Sequence, residues 1–337
     1  MWRRIPHIAS ALLAGLLASP LAAAPDLDDV DLKVERAAIE EFQAVDQRLQ
    51  DIGWQLARAN AEFCQNSIPS IGLQLQDLAS YGAPEIARAA LDLTGDFAVQ
   101  TAARGSPAYL SGAFAPNHEV TRLGSVDPNG WEAGKRLHWE RLARAHDHID
   151  AELAANGAIT LTFADQSEVE VAPVKVCASR FVLATGTDKV RANGKRVLVG
   201  IETPAVAYPE ELFAALVAHE LAHNVLAHSD WLDRNTRKRR NVRLIEREAD
   251  RLMPWLLVNA GYDPRAAIRF FKEYRPSSGS VLFIPGTHDK WQARAAMIEA
   301  ELAAISPLIA SEGKADWSLH FLREIDPDAG VKAPRGE

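Results

Sequence analysis

The stretch His219-Glu220-Leu221-Ala222-His223-Asn224, followed further on by Glu246-Arg247-Glu248-Ala249-Asp250, decides how this chain reads. The first motif lies in an apolar run over 209–228 that is expected to form one helix. Residues four apart share a helix face, so both imidazoles can grip a single ion. Glu220 sits one position round from His219, in reach of a water on that ion, where a carboxylate serves as general base. Two histidines and a water leave a tetrahedral zinc one protein ligand short. The second motif falls on a helix expected over 242–260, interrupted at Pro254, whose missing donor should kink the helix without ending it. Glu246 and Asp250 are four apart on it and can both face the first helix. Glu246 is the expected third ligand, and Asp250 the expected acceptor that fixes the tautomer of a ligand imidazole. Glu248 should point elsewhere. His228 is set aside as a ligand: Asn224-Val225-Leu226-Ala227 contains no glycine to break the helix. On a continuing helix a residue five positions beyond His223 drifts off the metal face.

Around this pair the chain is punctuated clearly. Two strands, 180–184 and 196–201, are expected to be joined through the Asn193-Gly194 turn. Asp263-Pro264 opens a third helix through Tyr274. A Ser, Gly and Pro-rich loop follows, and Thr287 should cap a helix over 288–305. The polar tail, 326–337, is expected to fray. Arg234, Arg237, Lys238, Arg239, Arg240 and Arg243 lie between the two motif helices. They read as a solvated charged loop, with contact to anionic lipid or an acidic partner as the alternative.

The 337 residues, 47% hydrophobic and 24% charged, suffice for two domains or one elaborated one. A formal net charge of −8 argues against nucleic acid as the main partner. Arg3 and Arg4, an apolar run over 8–21 and Ala22-Ala23-Ala24 read as an export signal over 1–24. The protein is therefore expected to be exported, periplasmic or otherwise extracytoplasmic, and soluble after cleavage. Cys64 and Cys177 are the only cysteines, and an oxidising compartment would let them pair. That bridge would close a loop of roughly 110 residues, for which chain entropy gives about 4–5 kcal/mol. From Ala38 the apolar residues Phe42, Val45, Leu49, Ile52, Leu56, Ala59 and Phe63 recur at four-three spacing. This predicts a long helix within 25–72, packed on the globule along a narrow seam.

The segment 95–176 has its own texture. A strand at 97–100 precedes Arg104-Gly105-Ser106-Pro107-Ala108, and a helix is expected over 132–155. Strands at 158–163 and 168–174 then form a hairpin turning at 164–167. This order resembles a PDZ domain of the kind attached to bacterial proteases, which implies a peptide ligand. Asn117-His118-Glu119 and Gly124-Ser125-Val126-Asp127 stand where such domains usually carry Gly-Asp and Asn-Gly turns. His138, His146 and His148 lie in the helix. His146 and His148 are about 200° apart, so they read as solvated or partly packed residues rather than a second metal site.

Taken together, His219-Glu220-Leu221-Ala222-His223-Asn224 and Glu246-x-x-Ala249-Asp250 resemble the HtpX-like and CaaX-prenyl-protease-like zinc metallopeptidases, metallopeptidase family forty-eight. The chain is similar to their soluble, exported branch with a PDZ-like insert. The resemblance implies an α+β fold: a mostly helical, zincin-type domain over 177–325 with a small strand pair, plus the insert. It implies one Zn2+ per chain on His219, His223 and Glu246, and an endopeptidase acting on protein or peptide substrates in envelope quality control. Thr287-His288 with Arg294 matches part of a further family element, in which His288 would either assist the oxyanion or latch the zinc. The alternative function is a peptide-binding, chaperone-like factor with a structural or latched zinc site. An intact Glu220 favours the enzyme, because a purely structural site has no need of that carboxylate.

Overall fold

The computed structural model describes residues 27–133, 137–273 and 289–330. The export signal, the loop at 276–286, Thr287, His288 and residues 331–337 lie outside them. Helix α1 (Leu32–Ala59) begins at Asp31, whose carboxylate accepts from the backbone N–H groups of Lys33 and Val34, donors that no earlier turn can satisfy. Its seam, Leu49, Ile52 and Leu56, is fully buried. A mid-helix glycine is normally unfavourable by about 0.5–1 kcal/mol. Gly53 is there because any Cβ would sit 2.3 Å from the Phe181 ring. The helix stops well short of residue 72: the chain turns at Asn60 and enters a strand.

The next elements are β1 (Ser67–Ser70), β2 (Leu73–Asp77), α2 (Pro84–Leu91), β3 (Phe97–Ala102), α3 (Pro107–Ser111), β4 (Val120–Leu123), α4 (Glu140–Asn156), β5 (Ile159–Phe163), β6 (Glu168–Val171) and β7 (Val174–Cys177). β2 pairs antiparallel with β3, β4-β5-β6 form an antiparallel sheet, and β1 pairs with β7. The apolar faces of β2 to β6 meet in one cluster with Ile149 and Leu153 of α4, whereas Ile68 of β1 and Val176 of β7 pack into the other core. That cluster includes Ile71, Leu73 and Leu75, so this unit starts before residue 95. The helix expected from 132 starts at Glu140. Cys64 and Cys177 are joined by a disulfide with Cα atoms 5.5 Å apart, which ties the end of α1 to the end of β7.

His146, expected at least partly in solvent, is buried and accepts the Leu75 N–H at 3.4 Å. Burial, reinforced by the charges of Arg180 and Arg196, pushes its imidazole well below the ordinary 6.5. The unfolded chain therefore takes up a proton below pH 6.5 that the folded chain refuses, and stability falls as the pH drops. The slope approaches about 1.4 kcal/mol per pH unit for one such group. In denaturant melts at pH 7.5 and 5.5, the stability advantage of the wild type over His146→Asn should shrink at the lower pH. An advantage independent of pH would contradict this assignment.

The second half comprises β8 (Arg180–Ala184), β9 (Val190–Ala192), β10 (Arg196–Gly200), α5 (Glu210–Val225), α6 (His228–Asn235), α7 (Arg239–Asn259), α8 (Ala266–Glu273), α9 (Trp291–Glu312) and α10 (Trp317–His320). The sheet order is β8-β10-β9. The Asn193-Gly194 turn forms as expected but joins β9 to β10, while β8 and β10 run parallel. α5 is buried on nearly every side, from Leu212 to Ala222. A helix apolar all round belongs in the middle of a fold, and α5 packs against α1, α7, α8, β9 and β10. The helix expected to run to 228 breaks after Val225: Ala227 adopts φ 55°, ψ 38°, and α6 starts anew at His228. α7 continues through Pro254 to Asn259. α9 starts at Trp291, later than expected, and extends to Glu312. The tail is anchored as far as it is described. The Trp231 indole N–H donates to the Asp326 carbonyl, Arg234 to that of Pro327 and Asn235 to that of Ala329.

Candidate metal centre

α5 presents His219 and His223 one turn apart, and α7, packed across it, presents Glu246. The two Nε2 atoms are 3.3 Å apart, with His219 Nε2 3.3 Å from Glu246 Oε2 and His223 Nε2 3.7 Å from Glu246 Oε1. A tetrahedron with metal–ligand bonds of about 2.0–2.1 Å has edges of about 3.3–3.4 Å. The two nitrogens are spaced as such an edge, and the Glu246 carboxylate approaches each of them through a different oxygen, so the three side chains face one point. Both outward-facing Nδ1 atoms are engaged elsewhere: His219 Nδ1 lies 3.0 Å from Asp250 Oδ1, and His223 Nδ1 lies 2.9 Å from His228 Nδ1. Each Nε2 is thereby left to face the shared point. This His219–His223–Glu246 group could hold a metal ion.

The carboxylates also explain the electrostatics around His219. Burial disfavours its charged form, but Asp250 and Glu246 outweigh this and push it up to about 10. Asp250 is in turn forked by Arg294, whose Nε and Nη2 each donate to one carboxylate oxygen at 2.5 Å. The guanidinium lies 3.9 Å from the centroid of the Phe271 ring. Asp250 and Arg294 are both buried. His219, Asp250 and Arg294 thus form one buried line running outward from the centre through α7 to α9. His288, the other residue singled out near α9, lies outside the described residues.

No family model, curated protein or solved structure matches the chain. What the centre can do must therefore be argued from its own groups. Glu220 is buried, and its pKa is raised by burial against the attraction of the neighbouring His219 and His223. The Ala192 N–H, on β9, also helps to hold its charge. β9 is the outermost strand of its three-stranded sheet, so one edge of it has no strand partner among the described residues.

Three features went unread in the sequence. Asn224 accepts the Gly194 N–H at 2.7 Å and donates to Ser179 Oγ at 2.8 Å, locking the β9–β10 turn onto the helix that bears both histidines. His228 lies outside the His219–His223–Glu246 group; it begins a new helix and stands behind His223. Glu248 does point away from the centre, yet it is fully buried and bonded to His228, Arg323 and the backbone of residues 324 and 325. Burial pushes the His228 imidazole down to about 3, against the pull of Glu248. The basic run is partly neutralised. Arg237 pairs with Asp233, Arg247 reaches Asp289 and Glu324, and Arg243 lies 4.0 Å from Asp289.

Proposed function

We propose that this chain is a zinc endopeptidase of the HtpX-like kind, with a zincin-type catalytic half and a PDZ-like unit ahead of it. The observation that carries the reading is the meeting of His219, His223 and Glu246 in a group that could hold a metal ion, with a buried glutamate, Glu220, beside the two imidazoles. Zinc bound there would supply Lewis acidity toward a peptide carbonyl and toward water. Glu220 takes the proton of the attacking water and returns it to the departing amine, a role suited to a carboxylate whose basicity burial has raised. Asp250, held by Arg294, keeps His219 turned with its Nε2 inward. The open edge of β9 beside Glu220 offers main-chain partners to an extended peptide. β10 offers no such edge, because β8 and β9 flank it on both sides. Backbone pairing reads little side-chain sequence, which suits a quality-control protease acting on unfolded proteins.

The proposed site of action is outside the cytoplasm. The Cys64–Cys177 disulfide fits an oxidising compartment, and no helix among the described residues is long and apolar enough to cross a membrane. Peptide capture by the PDZ-like unit is less favoured, since α4 lies against β2 and His146 takes the Leu75 N–H. The test is metal removal. The purified chain should carry one zinc, lose cleavage of an unfolded protein on chelation and regain it with added zinc. Cleavage that survives complete zinc removal would rule out the proposed chemistry. A chain that binds zinc without cleaving would support the chaperone-like alternative.

A further inference from the structure

Behind His223, on the side away from Glu246, a buried polar line runs to the end of the described chain. His228 Nδ1 lies 2.9 Å from His223 Nδ1, and His228 Nε2 lies 3.1 Å from Glu248 Oε2. The same oxygen accepts from Arg323 Nε at 2.7 Å, while Oε1 accepts the backbone N–H groups of Glu324 and Ile325 at 2.5 and 2.9 Å. His228 and Glu248 are 1% and 0% exposed, so solvent does not complete these bonds. Three of the four donors to Glu248 come from residues 323–325. The segment is held in turn by Ile325, which packs with Trp231, Leu232 and Ile245, and by the Arg323 bond to the Leu226 carbonyl at 3.3 Å.

The hydrogen-bond pattern has one consistent solution. A carboxylate only accepts, so His228 must donate from Nε2, which leaves its Nδ1 bare when the ring is neutral. Two ring nitrogens 2.9 Å apart need one proton between them, and that proton must come from His223 Nδ1. His223 is then fixed in the tautomer whose Nε2 lone pair faces His219 and Glu246. The helix break at Ala227 makes this possible, because an unbroken α5 would carry residue 228 round to another face. His219 obtains the same result from a carboxylate directly; His223 obtains it through a second imidazole.

We propose that His228 and Glu248, seated by residues 323–325, are positioning residues that orient His223 and so set the affinity of the centre for a divalent cation. This rests on the metal-centre reading above. Outer hydrogen-bond partners of ligand histidines typically govern affinity by about 10–100-fold. The experiment measures zinc affinity of the full chain by competition with a chromophoric chelator, and the visible spectrum with Co2+ in place of zinc. His228→Phe should weaken zinc binding about 10–100-fold and alter the Co2+ bands. His228→Asn, whose amide oxygen can accept from His223 Nδ1, should recover part of the loss. If residue 228 merely fills space, Phe should retain affinity better than Asn, and that order overturns the proposal. Should the Phe variant fail to fold, Glu248→Gln keeps the shape but loses an acceptor: weaker binding supports the proposal, and equal binding overturns it. Wild-type chain that binds no zinc would overturn the centre itself. Tight wild-type binding that every variant matches would overturn only the role of His228 and Glu248.

Discussion

Replacing Glu220 with glutamine should lower cleavage of an unfolded protein by about 10²–10⁴-fold, the usual contribution of a positioned general base. Zinc content and melting temperature should stay near those of the parent. The first expectation follows from chemistry: an amide cannot take a proton from water near neutral pH. The second follows from burial, which disfavours the Glu220 anion and raises its pKa. Its neutral isostere therefore gives up little folding energy, and the amide oxygen can still accept the Ala192 N–H. Both parts are checked by steady-state cleavage together with metal analysis and calorimetry on the same sample. Cleavage at the parental rate would remove Glu220 from the base role. Loss of zinc along with activity would show that the substitution damaged the centre, and the rate would then say nothing about the proton.

The three donors of the centre were legible in sequence because helix periodicity places them: His219 and His223 are four positions apart, as are Glu246 and Asp250. What helix periodicity could not show was the break between α5 and α6. Ala227 sits at φ 55°, where glycine is the usual occupant, so composition gives no warning. A continuous helix would turn residue 228 away from His223, so the pairing of the two imidazoles follows only from the break. One signal was available: residues two apart on a helix point to nearly opposite sides, so Glu246 and Glu248 must serve different partners. The parallel pairing of β8 with β10 was hidden for another reason. β9 is three residues long, too short to show alternation, and without it the Asn-Gly turn points to the two longer strands as its arms. The alternation in Leu73-Gln74-Leu75-Gln76 does announce β2 and places the start of this unit before residue 95.

The largest structural effect should come from Asp250→Ala. Arg294 is buried and donates twice to that carboxylate. Removing one partner of such a buried pair leaves the other charge in the interior without its carboxylate, a loss of about 3–5 kcal/mol. The same substitution strips His219 Nδ1 of its orienting partner, which should weaken zinc binding by about 10–100-fold. The two consequences separate in the double variant Asp250→Leu, Arg294→Met. There the guanidinium charge is gone and the space is refilled with apolar atoms, which often restores or exceeds the parental stability. Nothing in the double variant supports the His219 tautomer, so zinc affinity should remain weak although the fold has recovered. Denaturant melts of the zinc-free chain report the first quantity and chelator competition the second. A double variant that regains both stability and affinity would show that Asp250 serves only to neutralise Arg294. One that regains neither would mean that the pair holds α7 to α9 in a way apolar packing cannot replace. Stability without affinity is the expected outcome, because the carboxylate answers two demands, with Oδ1 shared between them: a guanidinium that needs its counter-charge, and an imidazole that must not turn over.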